Sequence, residues 1–414
     1  MAKISPFKGL RPKKGLEEQV ATLPYDVVSV AEARAFKKLP NNFYHVTRSE
    51  IDLPEYVDVH SQQVYDKAKE NLDCMMQDGT MIQDTDPCYY IYELVMEGRS
   101  QTGLICGSSV DDYFSGVIKK HEFTRPEKEQ DRINHIMTTR AQTGVVFLAY
   151  NDNDDVQQII AEWKAAHQPT YDFTAEDGIR HTLWVVDDYS KVAAITRVFN
   201  EDVDATYIAD GHHRAASAAK VCTEMRQLGY GITGDESFNS FITCIFPASQ
   251  LAIMDYNRVV KDLNGLSGND FLAALGADFE VEALPGSGPY KPAKSGEFGM
   301  FLGDNWYRLT AKPGTFKDDP IGVLDVSILQ NNILSKILGI HDPRIDKRVD
   351  FVGGIRGLGE LEKRVSSGDM AAAFSCYPVS IQQLFTIADS GEVMPPKSTW
   401  FEPKLRDGLV VYLI

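Results

Sequence analysis

The run Tyr207-Ile208-Ala209-Asp210-Gly211-His212-His213-Arg214-Ala215-Ala216-Ser217-Ala218-Ala219-Lys220 constrains the fold more than any other part of the chain. Tyr207 to Ala209 is a short apolar run of strand type that stops at Asp-Gly, where glycine permits a sharp turn. The alanine-rich segment after it has high helix propensity. Strand, tight turn and helix in succession place Gly211, His212, His213 and Arg214 at a helix N-terminus. Unpaired N–H groups and the helix dipole favour an anion there, and phosphate is the usual one. Arg214 adds a planar fork of donors suited to phosphate or carboxylate. The bland alternative is a turn with a solvated basic cluster, but two histidines and an arginine at a strand end are an uncommon choice for one. The segment is read as an anion site, with Arg214 a ligand fork rather than a structural ion pair and Asp210 a catalytic carboxylate.

With 414 residues, 43% of them hydrophobic and 24% charged, the composition is that of a globular chain too long for one core. Two to three lobes of α/β or α+β type, with mixed sheets, are expected. The formal charge of −17 and the lack of a dense basic run argue against nucleic acid as the main partner. Cys74, Cys88, Cys106, Cys222, Cys244 and Cys376 are scattered without a Cys-x-x-Cys pair, a pattern of reduced thiols. The start, MAKISPFKGLRPKKG, has no apolar signal core and no run reaches transmembrane length, so a cytoplasmic protein without a membrane partner is expected.

Along the chain, Val20 to Leu23 reads as a strand, and Ser29 with Glu32 as a capping box for a helix over Ala31 to Lys37. A long helix is expected over Tyr56 to Gln77 and a hairpin over Cys88 to Val110, turning at Glu97 to Gln101. Helix is expected again from Glu127 to Arg140 and from Val326 to Leu338. A core domain at 1–255, an α+β lobe at 256–340 and a segment at 341–414 packing back on the core are the expected divisions.

Three further motifs carry chemistry. Lys119 to Arg132 packs His121, Glu122, Thr124, Arg125 and Lys128 into a loop and first helical turn, with Pro126 suited to that turn and Thr124 to its cap. A charged surface helix is the equal alternative for the isolated residues. Asp26, after Pro24-Tyr25, presents a carboxylate at a strand end, and an ordinary turn Asp is its plain alternative. Met394 to Lys404 brings Lys397, Ser398 and Thr399 together after two prolines, which suits phosphate as a point charge with hydroxyls, or a polar corner on a strand. No Walker G-x-x-x-x-G-K-[ST] occurs, and Gly353 to Gly359 lacks G-x-G-x-x-G. Adjacent His212 and His213 diverge on a helix, which disfavours zinc, and the metal stays open.

LPYDVVS (Leu23 to Ser29), KKHEFT (Lys119 to Thr124), IADGHHR (Ile208 to Arg214) and MPPKSTWFEPKL (Met394 to Leu405), in that order, resemble a microbial domain-of-unknown-function family, DUF 1015. The resemblance runs from Pro6 to Leu413 and implies that His121, Glu122 and Thr124 belong to a shared motif. More distantly, the Asp-Gly-His-His-Arg turn is similar to the phosphate-binding turn of the ParB/sulfiredoxin-like superfamily, which includes free-serine kinases. That second resemblance implies a small-molecule phosphotransferase using ATP or ADP with Mg²⁺, an amino acid such as serine as acceptor, and a carboxylate base at Asp26 or Glu122. A non-catalytic sensor of a phosphorylated metabolite and a phosphatase or hydrolase are the competing expectations. Oligomeric state is not legible.

Overall fold

The computed structural model describes residues 1–231 and 233–414, and the chain divides into two compact units. The first comprises residues 1–251 with 403–414, and the second residues 252–402. Only the last twelve residues therefore return to the first unit; residues 341–402, expected with them, belong to the second.

The first unit is built on a nine-stranded mixed sheet. In chain order its strands are β1 (Ile4–Ser5), β2 (Tyr89–Met96), β3 (Arg99–Ser109), β4 (Ile118–Lys119), β5 (Val146–Tyr150), β6 (Tyr171–Thr174), β7 (Arg180–Val186), β8 (Thr206–Asp210) and β9 (Ser240–Pro247). Their spatial order is β4-β8-β5-β9-β3-β2-β7-β6, with β1 on β3. The β2–β3 hairpin turns on two residues, Glu97 and Gly98, both at positive φ (50° and 79°). Two positive-φ residues make the turn whose twist matches the strands it joins. It is tighter than the five-residue turn expected, because Arg99 to Gln101 already pair with β2.

Most neighbours are antiparallel, but β4 runs parallel to β8, with Thr206 opposite Ile118 and Tyr207 opposite Lys119. Two strands that run side by side in one direction release their following loops at the same edge. The loop after Lys119 and the turn after Asp210 thus leave the sheet together.

Helices α1 (Gln62–Gln77), α2 (Pro126–Thr139) and α3 (His212–Gln227) belong to the same unit. Pro126 takes the first position of α2, but Thr124 does not cap it: Arg125 stands at the cap without a side-chain bond, and the Thr124 hydroxyl serves Glu129. The Ser29–Glu32 capping box forms as its spacing requires, at the head of a helix over Val30–Arg34. Val20 to Leu23 is no strand. Glu17–Val20 is one helical turn, and only Thr22 pairs, across to Asp407. Two leading glutamates at the first helical positions outweigh the short apolar run behind them. Ile91, Leu104, Leu148, Ile208, Phe199 and Ile245 meet in a core between sheet and helices.

The second unit carries a six-stranded antiparallel sheet, β10 (Tyr256–Val260), β11 (Phe279–Leu284), β12 (Glu297–Leu302), β13 (Asn305–Ala311), β14 (Val349–Gly353) and β15 (Ala372–Cys376), ordered β11-β13-β12-β15-β10-β14. Phe271, Phe298, Phe374 and Leu334 fill its core. The helix expected over Val326 to Leu338 is α-helical over Asp325–Leu329 and widens to π-helix over Gln330–Ser335. The cysteines are free thiols, Cys74 exposed and the others buried. Among the described residues no helix is long and apolar enough to cross a membrane.

Candidate active site

β8 ends at Asp210, and Gly211 then takes a left-handed backbone (φ 97°, ψ 31°) before α3 begins at His212. A Cβ at Gly211 would stand 3.0 Å from Arg214 Nε as well as in a strained region, so the turn needs glycine on both counts. Gly211 at the N-cap has no side chain to cap α3, so this sixteen-residue helix starts without the usual side-chain bond to its first-turn amides.

The two histidines act as clamps on the neighbouring loop. His212 Nε2 accepts the backbone N–H of His121 at 3.5 Å, and His213 Nε2 accepts that of Arg125 at 3.0 Å. The buried rings of His121 and His212 meet edge to face, centroids 4.5 Å apart. An accepting Nε2 is unprotonated, so each of His212 and His213 carries its proton on Nδ1. The electrostatics agree: burial holds His121 down at about 4, His212 well below its usual range, and, with Arg125 nearby, His213 lower too. His212 Nδ1 lies 3.7 Å from Glu122 Oε2. The pair that looks like a cationic patch in sequence is neutral.

Arg214 departs from the expected open fork. Its side chain is 7% exposed, and its Nη1 donates to the Val145 carbonyl. Nη2 stands 3.6 Å from Asp26 Oδ2 and 3.5 Å from Asp210 Oδ2, while Nε is buried without a hydrogen-bond partner. Burial opposes the charge, but Asp26, Asp210 and Asp407 outweigh it and raise the guanidinium pKa. Arg214 is thus a structural hub between carboxylates, because a buried cation must be paired.

Asp210 Oδ2 also accepts from Lys404 Nζ at 3.1 Å, and Lys404 and Arg214 together overcome burial to hold it ionised. Asp407 is 2% exposed with Oδ2 unpartnered; burial pushes its carboxyl up to about 7, with Arg214 opposing and Asp26 reinforcing the rise. Arg132 lies 4.0 Å over the ring of Tyr25, beside Asp26, and bonds Asp131. Arg125 and Lys128 are exposed, and both depress His213.

The structure therefore gathers Asp26, Glu122, Asp210, His121, His212, His213 and Arg214 into one cluster on the first unit. Lys404 and Asp407 were missed. Lys404 lay unremarked at the end of its motif, and a lone Asp before Gly408 gives no signal in sequence; only the pairing of Thr22 with Asp407 brings it in. Lys397, Ser398 and Thr399 lie in the second unit. There the Ser398 hydroxyl donates to the Pro395 carbonyl at 2.6 Å, Arg258 donates to the Lys397 carbonyl, and Lys397 Nζ stands 5.7 Å from the centre of the Tyr256 ring. Among the described residues no group of three or more His, Cys, Asp or Glu has the geometry of a metal cage.

The family model described as a protein of unknown function, DUF1015, matches residues 4–327. The chain belongs to the DUF1015 family. No curated protein matches the sequence. Among solved structures, DUF1015 residues here are similar to a conserved hypothetical protein from Pyrococcus furiosus, at 16% identity and a TM-score of 0.36, over 75% of this chain and 95% of that one. A free serine kinase in complex with AMP is similar at 13% identity and a TM-score of 0.35, over 74% and 91%. SbnI from Staphylococcus aureus, truncated at its C-terminus, is similar at 11% and 0.37, over 75% and 87%. At these scores the likenesses carry no inference about activity.

Proposed function

We propose that this DUF1015 protein binds the phosphate of a small ligand at the Gly211 turn and transfers a phosphoryl group between a nucleotide and a small hydroxyl-bearing acceptor. The observation that carries the reading is the uncapped N-terminus of α3, entered through a left-handed glycine, beside partly exposed carboxylates and Lys404. Amide donors and the dipole suit phosphate, while a second role remains for the carboxylates.

Asp26 and Glu122, with side chains 38% and 42% exposed, are the candidates to take the acceptor proton. His213 contributes Nδ1–H as a donor, and Lys404 shares its ammonium between Asp210 and an incoming phosphate oxygen. Mg²⁺ needs only one or two carboxylates when a nucleotide supplies the other oxygens, and Asp210, near Arg214 Nη2, is the one that would hold it. Bound there, it would neutralise phosphate charge.

A sensor reading has one observation in its favour: the Arg214 charge is already taken up by carboxylates, which suits binding more than transition-state stabilisation. Product formation from ATP or ADP with free serine and other hydroxyl acceptors separates the two. The enzyme reading expects turnover in the wild type and a loss of roughly 10²–10⁴-fold in Asp26→Asn or Glu122→Gln, with nucleotide binding retained. Nucleotide binding without transfer to any acceptor would leave the sensor.

A further inference from the structure

A second cavity, of about 400 Å³, opens in the same unit, lined by none of Asp210 to Arg214. That is the size of a small-molecule site. Its buried floor is made by Thr22, Asn42, Tyr44 and Arg406. Leu23, Phe36 and Phe173 give it apolar walls, and Glu18, Glu176 and Asp177 stand exposed among its lining residues.

The polar groups are unevenly committed. Arg406 donates through Nη2 to Asp177 and through Nε to His181 Nε2 at 3.2 Å, so its charge is neutralised within the wall. With that pair cancelled, Glu18 and Glu176 leave the cavity net negative. The Thr22 hydroxyl is buried, at 4% residue exposure, and has no hydrogen-bond partner.

We infer that this cavity is a binding site for a small organic amine with an apolar, ring-sized body. The ammonium meets the carboxylates of Glu18 and Glu176, and the body lies against Phe36, Tyr44 and Phe173. Aromatic faces next to uncompensated carboxylates favour a cation, and the same charge repels phosphate. The site is thus complementary in sign to the Gly211 turn and does not depend on what that turn binds.

Calorimetric titration of the full chain with phenethylamine, 2-phenylethanol and phenylacetate, which share one body and differ in charge, tests the assignment. Phenethylamine should bind about tenfold or more tighter than the alcohol, with the carboxylate weakest. The double variant Glu18→Gln/Glu176→Gln, both exposed positions, should erase the amine's advantage. Saturating inorganic phosphate should leave amine affinity unchanged. Equal binding of the three probes, a preference for phenylacetate, no binding, or a double variant that behaves as wild type would each overturn the site.

Discussion

Two corners of this molecule look alike in sequence and are built differently. Asp210-Gly211-His212-His213-Arg214 and Lys397-Ser398-Thr399 both put cationic and polar groups beside a strand. At the first, glycine in a left-handed turn opens an uncapped helix, and the side chains around it hold carboxylates near the opening. At the second, Lys397 itself takes the positive φ (58°), and the Ser398 hydroxyl closes back on Pro395. One corner keeps its backbone donors for something else; the other spends its polar groups on its own chain. Residue type alone does not separate these outcomes, whereas the partner of each donor does.

The sharpest way to break that contrast is Arg214→Ala. Removing a buried cation strands Asp26, Asp210 and Asp407 together, and the loss of stability should reach about 3–5 kcal/mol in urea unfolding. A loss below about 1 kcal/mol would return Arg214 to the role of an open ligand fork. Gly211→Ala comes next. The strained φ and the 3.0 Å approach to Arg214 should cost about 1–3 kcal/mol and weaken anion binding in proportion. Unchanged unfolding and binding would mean the turn relaxes freely.

A third test uses pH. His121 and His135 are held down at about 4 and His181 at about 3 by burial, and His212 and His213 are lowered as well. A histidine whose folded pKa is depressed stabilises the fold above its unfolded pKa near 6.5, and that stability is lost as pH falls toward the folded value. Asp407 has the opposite sign. Its carboxyl is raised to about 7, so its contribution is present at low pH and lost as pH rises from about 4 to 7. Asp325, raised to about 6, and Asp112, also raised, share the sign of Asp407, and five histidines against these three carboxyls should make the melting temperature climb between about pH 4.5 and 6.5. Asp407→Asn should steepen the climb, and a flat or falling profile would show that these histidines are charged in the fold. The smallest effect belongs to the second corner: Ser398→Ala should cost about 1 kcal/mol and leave anion binding at the Gly211 turn untouched.

The mixed α/β architecture was legible because its signals are local. The Ser29–Glu32 box, Pro126 at the head of α2, and the strand–glycine–helix run at Asp210 are each written within a few residues. The parallel pairing of β4 with β8 is the physical reason His121–Glu122 and the Gly211 turn meet. What stayed hidden was long-range. The neutral state of His212 and His213 follows from backbone amides of the 121–125 loop reaching their Nε2 atoms, ninety residues from their own turn. Asp407 enters through a bridge to Thr22, and nothing near it in the chain marks that contact. Arg214 looked like a free fork because local sequence cannot show that Asp26, Asp210 and Val145 close over it.

The claim on which the account stands is that the open amides at the start of α3 receive phosphate. Backbone amide NMR of the full chain during titration with ADP and Mg²⁺ reads them directly. The account predicts large, saturable shifts at Gly211, His212, His213 and Arg214, with smaller ones at His121 to Arg125 on the clamped loop. Shifts elsewhere with these amides unmoved at saturation would contradict it.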